Sequence, residues 1–153
     1  KFVAARLESW ADFTSRFPDG RVLVPNNPGF RNYGRNPYVG YDSAAAPFLY
    51  RGKMPEGISP MARVVVYRIN GKVNAIALSM LTKSEELMHG NVTLKWKAGQ
   101  ASALDSGEIA KGRDVGSITV QKKNAAGSYE DIPYDVTFAF VVEAFEPGTV
   151  IQK

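Results

Sequence analysis

Few residues in this chain have a type and spacing that could do chemistry. His89 is the single histidine, and beside Gly90 it reads as a loop residue more readily than as a catalyst. One histidine cannot form the cluster that zinc or copper takes. The lack of cysteine removes thiolate metal sites, iron–sulfur clusters, disulfides and cysteine nucleophiles together. None of the serines stands in a G-x-S-x-G elbow. Gly112-Arg113-Asp114-Val115-Gly116 carries two glycines without the G-x-x-x-x-G-K-[ST] frame of a phosphate loop, so Gly116 reads more simply as the start of a strand or a turn. Asp42, Asp105, Asp114 and Asp135 are dispersed. A two-carboxylate hydrolase needs its pair about 5–10 Å apart, which this spacing gives no reason to expect. Glu85-Glu86 reads as a solvated helix face. No catalytic residue, metal site or cofactor is expected.

The bulk properties are those of one ordinary globular domain of 153 residues, with 44% hydrophobic and 22% charged residues. The net charge of +4 is mild and spread out, with short clusters only at Lys95-Trp96-Lys97 and Lys122-Lys123. A nucleic-acid binder gathers its charge into a stripe, so nucleic acid is not an expected partner. The longest apolar run, Val136 to Ala144, falls short of the roughly 20 residues that span a bilayer. The chain begins with Lys1 and shows no charged-then-apolar leader, which suggests a piece of a longer protein.

One segment stands out as a binding candidate. Residues 29–50, GFRNYGRNPYVGYDSAAAPFLY, hold four of the seven tyrosines with no helical or strand period. Arg31 and Arg35 can stack on Tyr33, Tyr38 or Tyr41 and still donate planar hydrogen bonds outward. Arginine and tyrosine are the residues that interface hot spots favour. The plainer reading is that the tyrosines bury their rings and pin a long loop, since residues 25–60 also hold six of the nine prolines.

The flanking elements follow from periodicity. Leu7 to Phe17 places apolar residues at helical spacing behind a Ser9/Asp12 capping box, and Pro18-Asp19-Gly20 stops the helix. Arg21 to Val24 then reads as a short strand and Phe48 to Tyr50 as another. RVVVYRI and KVNAIAL flank Asn70-Gly71, which tolerates the positive φ of a type I′ turn, so residues 62–78 form a β-hairpin. Leu78 to Leu87 reads as a helix, 91–97 as a strand with Trp96 inward and its lysines outward, 98–114 as loop, 116–121 as a strand and 122–128 as a turn. Residues 135–145 are uniformly apolar and fit a buried strand or a helix. There is also an internal echo: SWADFTSRFPDGRVL (9–23) resembles TFAFVVEAFEPGTVI (137–151), each an aromatic-rich stretch ending in Phe, then Pro, Gly and a short apolar run. Two readings stand. Either both close equivalent structural units, or two unrelated segments share a stop signal.

The run RNYGRNPY (31–38), the hairpin, PDGRVLVP (18–25), VTFAFVVEAFEPGTV (136–150) and above all GQASALDSGEIAKGRDVGS (99–117) resemble domain of unknown function 3179, a bacterial family, over nearly the whole chain. The resemblance implies a longer exported protein whose preceding half carries a cysteine-containing TYCPLC-like segment. This chain would then be the C-terminal half. Ala75-Ile76-Ala77-Leu78 departs from the Ala-Tyr-Pro-Leu that the family often has there. The family has no established activity, so it assigns no catalytic residue.

The expected fold is α+β: mostly antiparallel strands, two or three short helices and a long irregular aromatic-rich loop. Residues 1–153 form a single domain in which 1–25 close a preceding repeat unit, 26–60 are the long loop and 61–153 the main β-rich unit. Trp10, Phe13, Phe17, Val64, Val66, Ile76, Leu94, Trp96, Ile118, Phe138, Phe140 and Phe145 are the expected core. The binding candidates are Arg31, Tyr33, Arg35, Tyr38, Tyr41, Asp105, Arg113 and Asp114. The leading functional expectation is a non-catalytic extracytoplasmic module that binds a protein partner, either the N-terminal half of the same protein or another subunit. Second is an enzyme or a redox or metal protein whose site lies between the two halves, with Arg35, Tyr38, Asp105, Arg113 or Asp114 lining it. Polysaccharide binding through exposed Tyr and Trp rings is third.

Overall fold

The computed structural model describes residues 3–153; of the segment 1–25 expected to close a preceding unit, residues 1 and 2 lie outside it. In chain order the elements are α1 (Trp10–Arg16), β1 (Arg63–Ile69), β2 (Lys72–Ala77), α2 (Leu78–Ser84), β3 (Glu86–His89), β4 (Val92–Lys97), β5 (Ser117–Lys123), β6 (Tyr129–Asp131), β7 (Tyr134–Phe138), α3 (Ala139–Phe145) and β8 (Ile151–Gln152), with 3₁₀ turns at Tyr41–Ser43 and Ile109–Lys111. They make an α+β fold with two four-stranded sheets, ordered β7-β1-β2-β8 and β3-β4-β5-β6. Every pairing is antiparallel except β2 with β8.

The expected hairpin is β1–β2. Asn70 and Gly71 take φ of 50° and 78°, which turns the chain and sets Ile69 opposite Lys72 and Val65 opposite Ile76. Strand β1 is apolar on both faces because it is covered on both. Val65 and Tyr67 pack with Ile76, Leu78, Leu81, Val92, Leu94, Ile118 and Val120 between the sheets. Val64 and Val66 pack with Ala75, Ala139 and Val142 under α3. A strand clad in this way reads as a continuous hydrophobic run rather than an alternation. The second sheet is a meander. Trp96 points inward while Lys95 and Lys97 are exposed, as period two requires. The Trp96 indole N–H donates to the Val115 carbonyl at 2.9 Å. Gly116, at φ 70°, lies so close to that ring that any side chain there would overlap it.

Several expectations are corrected. Helix α2 stops at Ser84, and Glu85 takes a left-handed φ of 59°. Glu86 then opens β3, where its carboxylate meets Lys95 across the ladder at 3.2 Å, so the pair is cross-strand rather than a helix face. The apolar run from 135 is both alternatives in succession, β7 up to Phe138 and α3 from Ala139. Strand β5 runs on through Lys122 and Lys123, so the turn that follows is 124–128, and it leads into a further strand, β6, that pairs back on β5. Phe48 to Tyr50 form a turn with Leu49 at φ 63°, and Arg21 to Val24 form no strand. A strand exists only where a neighbour accepts its hydrogen bonds, and among the described residues no edge meets either segment. The capping box is half formed. The Asp12 amide donates to Ser9 Oγ at 3.2 Å, but the Asp12 carboxylate takes the Ser9 hydroxyl instead of its amide.

The core of the β-rich body also differs. Val64, Val66, Ile76, Leu94, Ile118 and Phe138 are buried as expected, whereas Trp10, Phe17 and Phe145 are exposed. Helix α1 buries no residue. It lies toward β4 with its polar side, through the Asp12–Lys97 ion pair, while Trp10 stacks on Phe13 at 5.6 Å and Phe13 meets Phe17 at a tilt at 5.7 Å. In urea unfolding, Leu94→Ala is expected to cost about 3 kcal/mol, the value for a truncated core leucine, and Phe145→Ser less than about 0.5 kcal/mol. Equal costs for the two would contradict this layering.

Candidate functional site

The long loop does not hang free. From Gly34 to Asp42 it runs beside residues 104–109 as an irregular ladder. The Asn36 amide donates to the Gly107 carbonyl at 3.0 Å, Gly40 to Asp105 at 2.7 Å, Asp42 to Leu104 at 3.4 Å, and Ile109 back to Gly34 at 3.0 Å. Gly40, at φ 70°, lets the chain turn into the Tyr41–Ser43 3₁₀ turn. That turn drives the Asp42 side chain into the protein, where it has 0% exposure.

Asp42 is the centre of a polar cluster. Its Oδ2 accepts from the Ser102 hydroxyl at 2.6 Å and from Arg63 Nη2 at 2.9 Å, with Arg113 Nη2 at 3.2 Å. Arg63 also donates to Ser102 Oγ at 3.0 Å, and the Leu104 amide donates there at 3.1 Å. Arg63 is the first residue of β1, so the cluster joins both irregular segments to the central hairpin. Its guanidinium lies 5.3 Å from the centre of the Phe138 ring, which Tyr41 meets edge-on at 5.9 Å. Burial would push the Asp42 carboxyl up. The Ser102 and Arg63 hydrogen bonds and the charges of Arg113 and Arg63 overcome it, and the carboxyl is held below its ordinary value.

The expected site residues divide into two groups. Around the Asp42 cluster the fold gathers Tyr41, Asp105 and Arg113. Asp105 Oδ2 accepts the Arg113 amide at 2.7 Å, and the Arg113 guanidinium, 47% exposed, donates to the Asp42 carbonyl at 3.0 Å. Outside it lie Arg35, paired with Glu108 at 3.3 Å, Arg31 over the Phe30 ring, and the exposed rings of Tyr33 and Tyr38. Asp114 is spent locally. It accepts the amides of Gly99, Gln100 and Gly116, and although burial acts to raise it, these three bonds hold its carboxyl below the ordinary value. Five clefts are lined in part by the N-terminal segment, β2, β5, β7, α3 and the 147–152 end of the chain, and none of these five is lined by Arg35, Tyr38, Asp105, Arg113 or Asp114.

Arg63 and Ser102 were not singled out from sequence, and Asp42 only as one of several dispersed acids. One signal was available: Arg63 heads a strand that is otherwise apolar through Tyr67. Ser102, 1% exposed and giving its proton to a carboxylate, is out of reach of a substrate. The cluster is therefore a clamp whose most exposed guanidinium is that of Arg113, with Arg63 exposed to 18%. His89 ends β3 rather than lying in a loop, and its Nδ1 is 2.6 Å from the Tyr67 hydroxyl. Burial pushes the Tyr67 phenol up to about 12, so it keeps its proton. Among the described residues no group of three or more His, Cys, Asp or Glu side chains is placed to hold a metal, and no helix is long and apolar enough to cross a membrane.

The family model described as Protein of unknown function (DUF3179) matches residues 1–149, and the chain belongs to that family. No curated protein and no solved structure matches it.

Breaking a buried charge pair costs about 3–5 kcal/mol, so Asp42→Asn is expected to destabilise the clamped loops by about 3 kcal/mol at neutral pH, read from the exchange of the Asn36 and Gly40 amides. A carboxyl whose folded pKa is depressed adds stability above its unfolded value, and that stability drains away as pH falls through the folded one. The gap between wild type and Asp42→Asn should therefore be constant above the ordinary carboxylate pKa of 3.8 and shrink below it. A gap independent of pH down to the acid transition would show that Asp42 is not ionised in the folded state.

Proposed function

We propose that this member of the DUF3179 family is a non-catalytic docking module of a bacterial extracytoplasmic protein, and that its partner is the N-terminal half of the same polypeptide. One observation carries the reading: the two echoing segments are seated differently. The second copy packs. Helix α3 buries Ala139 and Val142 on the first sheet, the chain turns at Pro147-Gly148, and β8 adds in parallel to β2. The first copy has the same parts without a seat. Helix α1 buries nothing, Pro18-Asp19-Gly20 turn the chain, and Val22, Leu23 and Val24 are 58%, 98% and 65% exposed.

An apolar helix face and a β-type segment of this kind fit a sheet that offers both a face and an edge, as β2 offers them to α3 and β8. The partner should therefore carry a hairpin like β1–β2. The neighbouring loop adds Phe30, Tyr33, Tyr38 and Phe48, all exposed, and patches of exposed apolar side chains on this scale mark interaction surfaces. Every exposed charge between residues 20 and 54 is basic, since Asp42, the one acid there, is buried. An acidic, apolar partner surface complements it. The extracytoplasmic location and the bacterial source rest on the family resemblance alone.

The test is association of this chain with the separately expressed N-terminal half, followed by sedimentation. A one-to-one complex is expected. Val22→Asp with Val24→Asp should weaken it about tenfold or more, since central apolar anchors dominate such interfaces. Two species sedimenting independently, or a complex indifferent to the double variant, would overturn the assignment.

A further inference from the structure

A cleft of about 330 Å³ opens where the two sheets meet. Ala5 and Leu7 form one wall, Ile118 at the start of β5 and Val136 of β7 others. Two arginines from separate elements, Arg6 and Arg63, line it together. Its size is at the low end for small-molecule sites, and the mix of apolar wall with a few convergent polar groups is the usual one.

The arginines are only partly used by the protein. Arg63 gives its Nη2 to Asp42 and Ser102, and Arg6 gives its Nη2 to Asp131. Among the described residues the buried Nε of each finds no acceptor. Those two Nε atoms are out of a ligand's reach, but a guanidinium has five N–H donors, and with side chains 16% and 18% exposed the remaining N–H groups of Arg6 and Arg63 face the cleft they line. Asp42 divides its single charge between Arg63 and Arg113 and leaves Arg63 incompletely neutralised. Tyr134, by contrast, is committed, its hydroxyl donating to the Ile118 carbonyl at 2.5 Å. Asp135 stands exposed among the lining residues and repels anions, a dianion more than a monoanion.

From these features we infer that the cleft is a binding site for a small monocarboxylate with an apolar tail, its carboxylate held by Arg6 and Arg63 and its tail on Leu7, Ile118 and Val136. A planar carboxylate matches the guanidinium fork. A phosphate would bring a second charge against Asp135. The assignment uses none of Val22, Leu23 and Val24, so its test is separate from that of the docking reading.

Titration of the full chain with hexanoate, hexanamide and inorganic phosphate, followed by amide NMR shifts, tests it. Hexanoate is expected to shift Gly116 and Val136 saturably, at about millimolar affinity for so small a ligand. Arg6→Met, which removes one fork, and Val136→Asp, which places a charge at the exposed rim, should each weaken it about tenfold with spectra otherwise unchanged. If Arg6→Met does not fold, Val136→Asp decides. No saturation by hexanoate, hexanamide binding as well as hexanoate, phosphate binding as tightly, or hexanoate indifferent to the variants would each overturn the assignment.

Discussion

A carboxylate shut away from water must be held by donors or it unfolds its surroundings, and Asp42 is held by three side chains from two other parts of the chain. Ser102 and Arg113 come from the loop between β4 and β5, and Arg63 from the first position of β1. Between them they fasten two irregular segments to the hairpin that anchors the first sheet. The ladder from Gly34 to Asp42 lies against residues 104–109 because both ends are fixed there. The position of the Arg/Tyr loop is thus a consequence of one buried ion cluster more than of apolar packing, for its own rings at Phe30, Tyr33 and Tyr38 face the solvent.

The two halves of the molecule obey different physics. From residue 61 on, two sheets and α3 enclose two apolar clusters around β1. Before it, α1 and the segment to Phe48 are joined to the body by ion pairs, backbone hydrogen bonds and a few ring contacts, including Arg6–Asp131, Lys97–Asp12 and Tyr41 on Phe138. Exposed ion pairs contribute at most about 1 kcal/mol each, so α1 and its flanks, which the Asp42 cluster does not hold, are the less stable and the readier to rearrange against a partner.

How much of this was legible in the sequence depends on the range of the interaction that decides each element. Asn70-Gly71 between two β-rich runs is a local signal, and the hairpin is where it was expected. The α+β class and the inward Trp96 followed from period alone. Arg21-Val22-Leu23-Val24 has the composition of a strand and forms none, because a strand is a property of two segments and its partner is not among the described residues. Phe17 and Phe145 carry the spacing of core residues, but a period identifies a face without saying what covers it. The Asp42 cluster was illegible for the same reason: positions 42, 63, 102 and 113 have no common spacing, and only the tertiary fold brings them together.

The most direct measurement is site-resolved hydrogen exchange on the wild type and on Asp42→Asn. If the buried carboxylate positions the loops and the sheets fold without it, the amides of Asn36, Gly40, Ser102 and Ile109 should lose protection while those of Val65, Leu94 and Val120 keep theirs. Loss spread evenly over both groups, or confined to the sheets, would contradict a clamp that holds the loops alone.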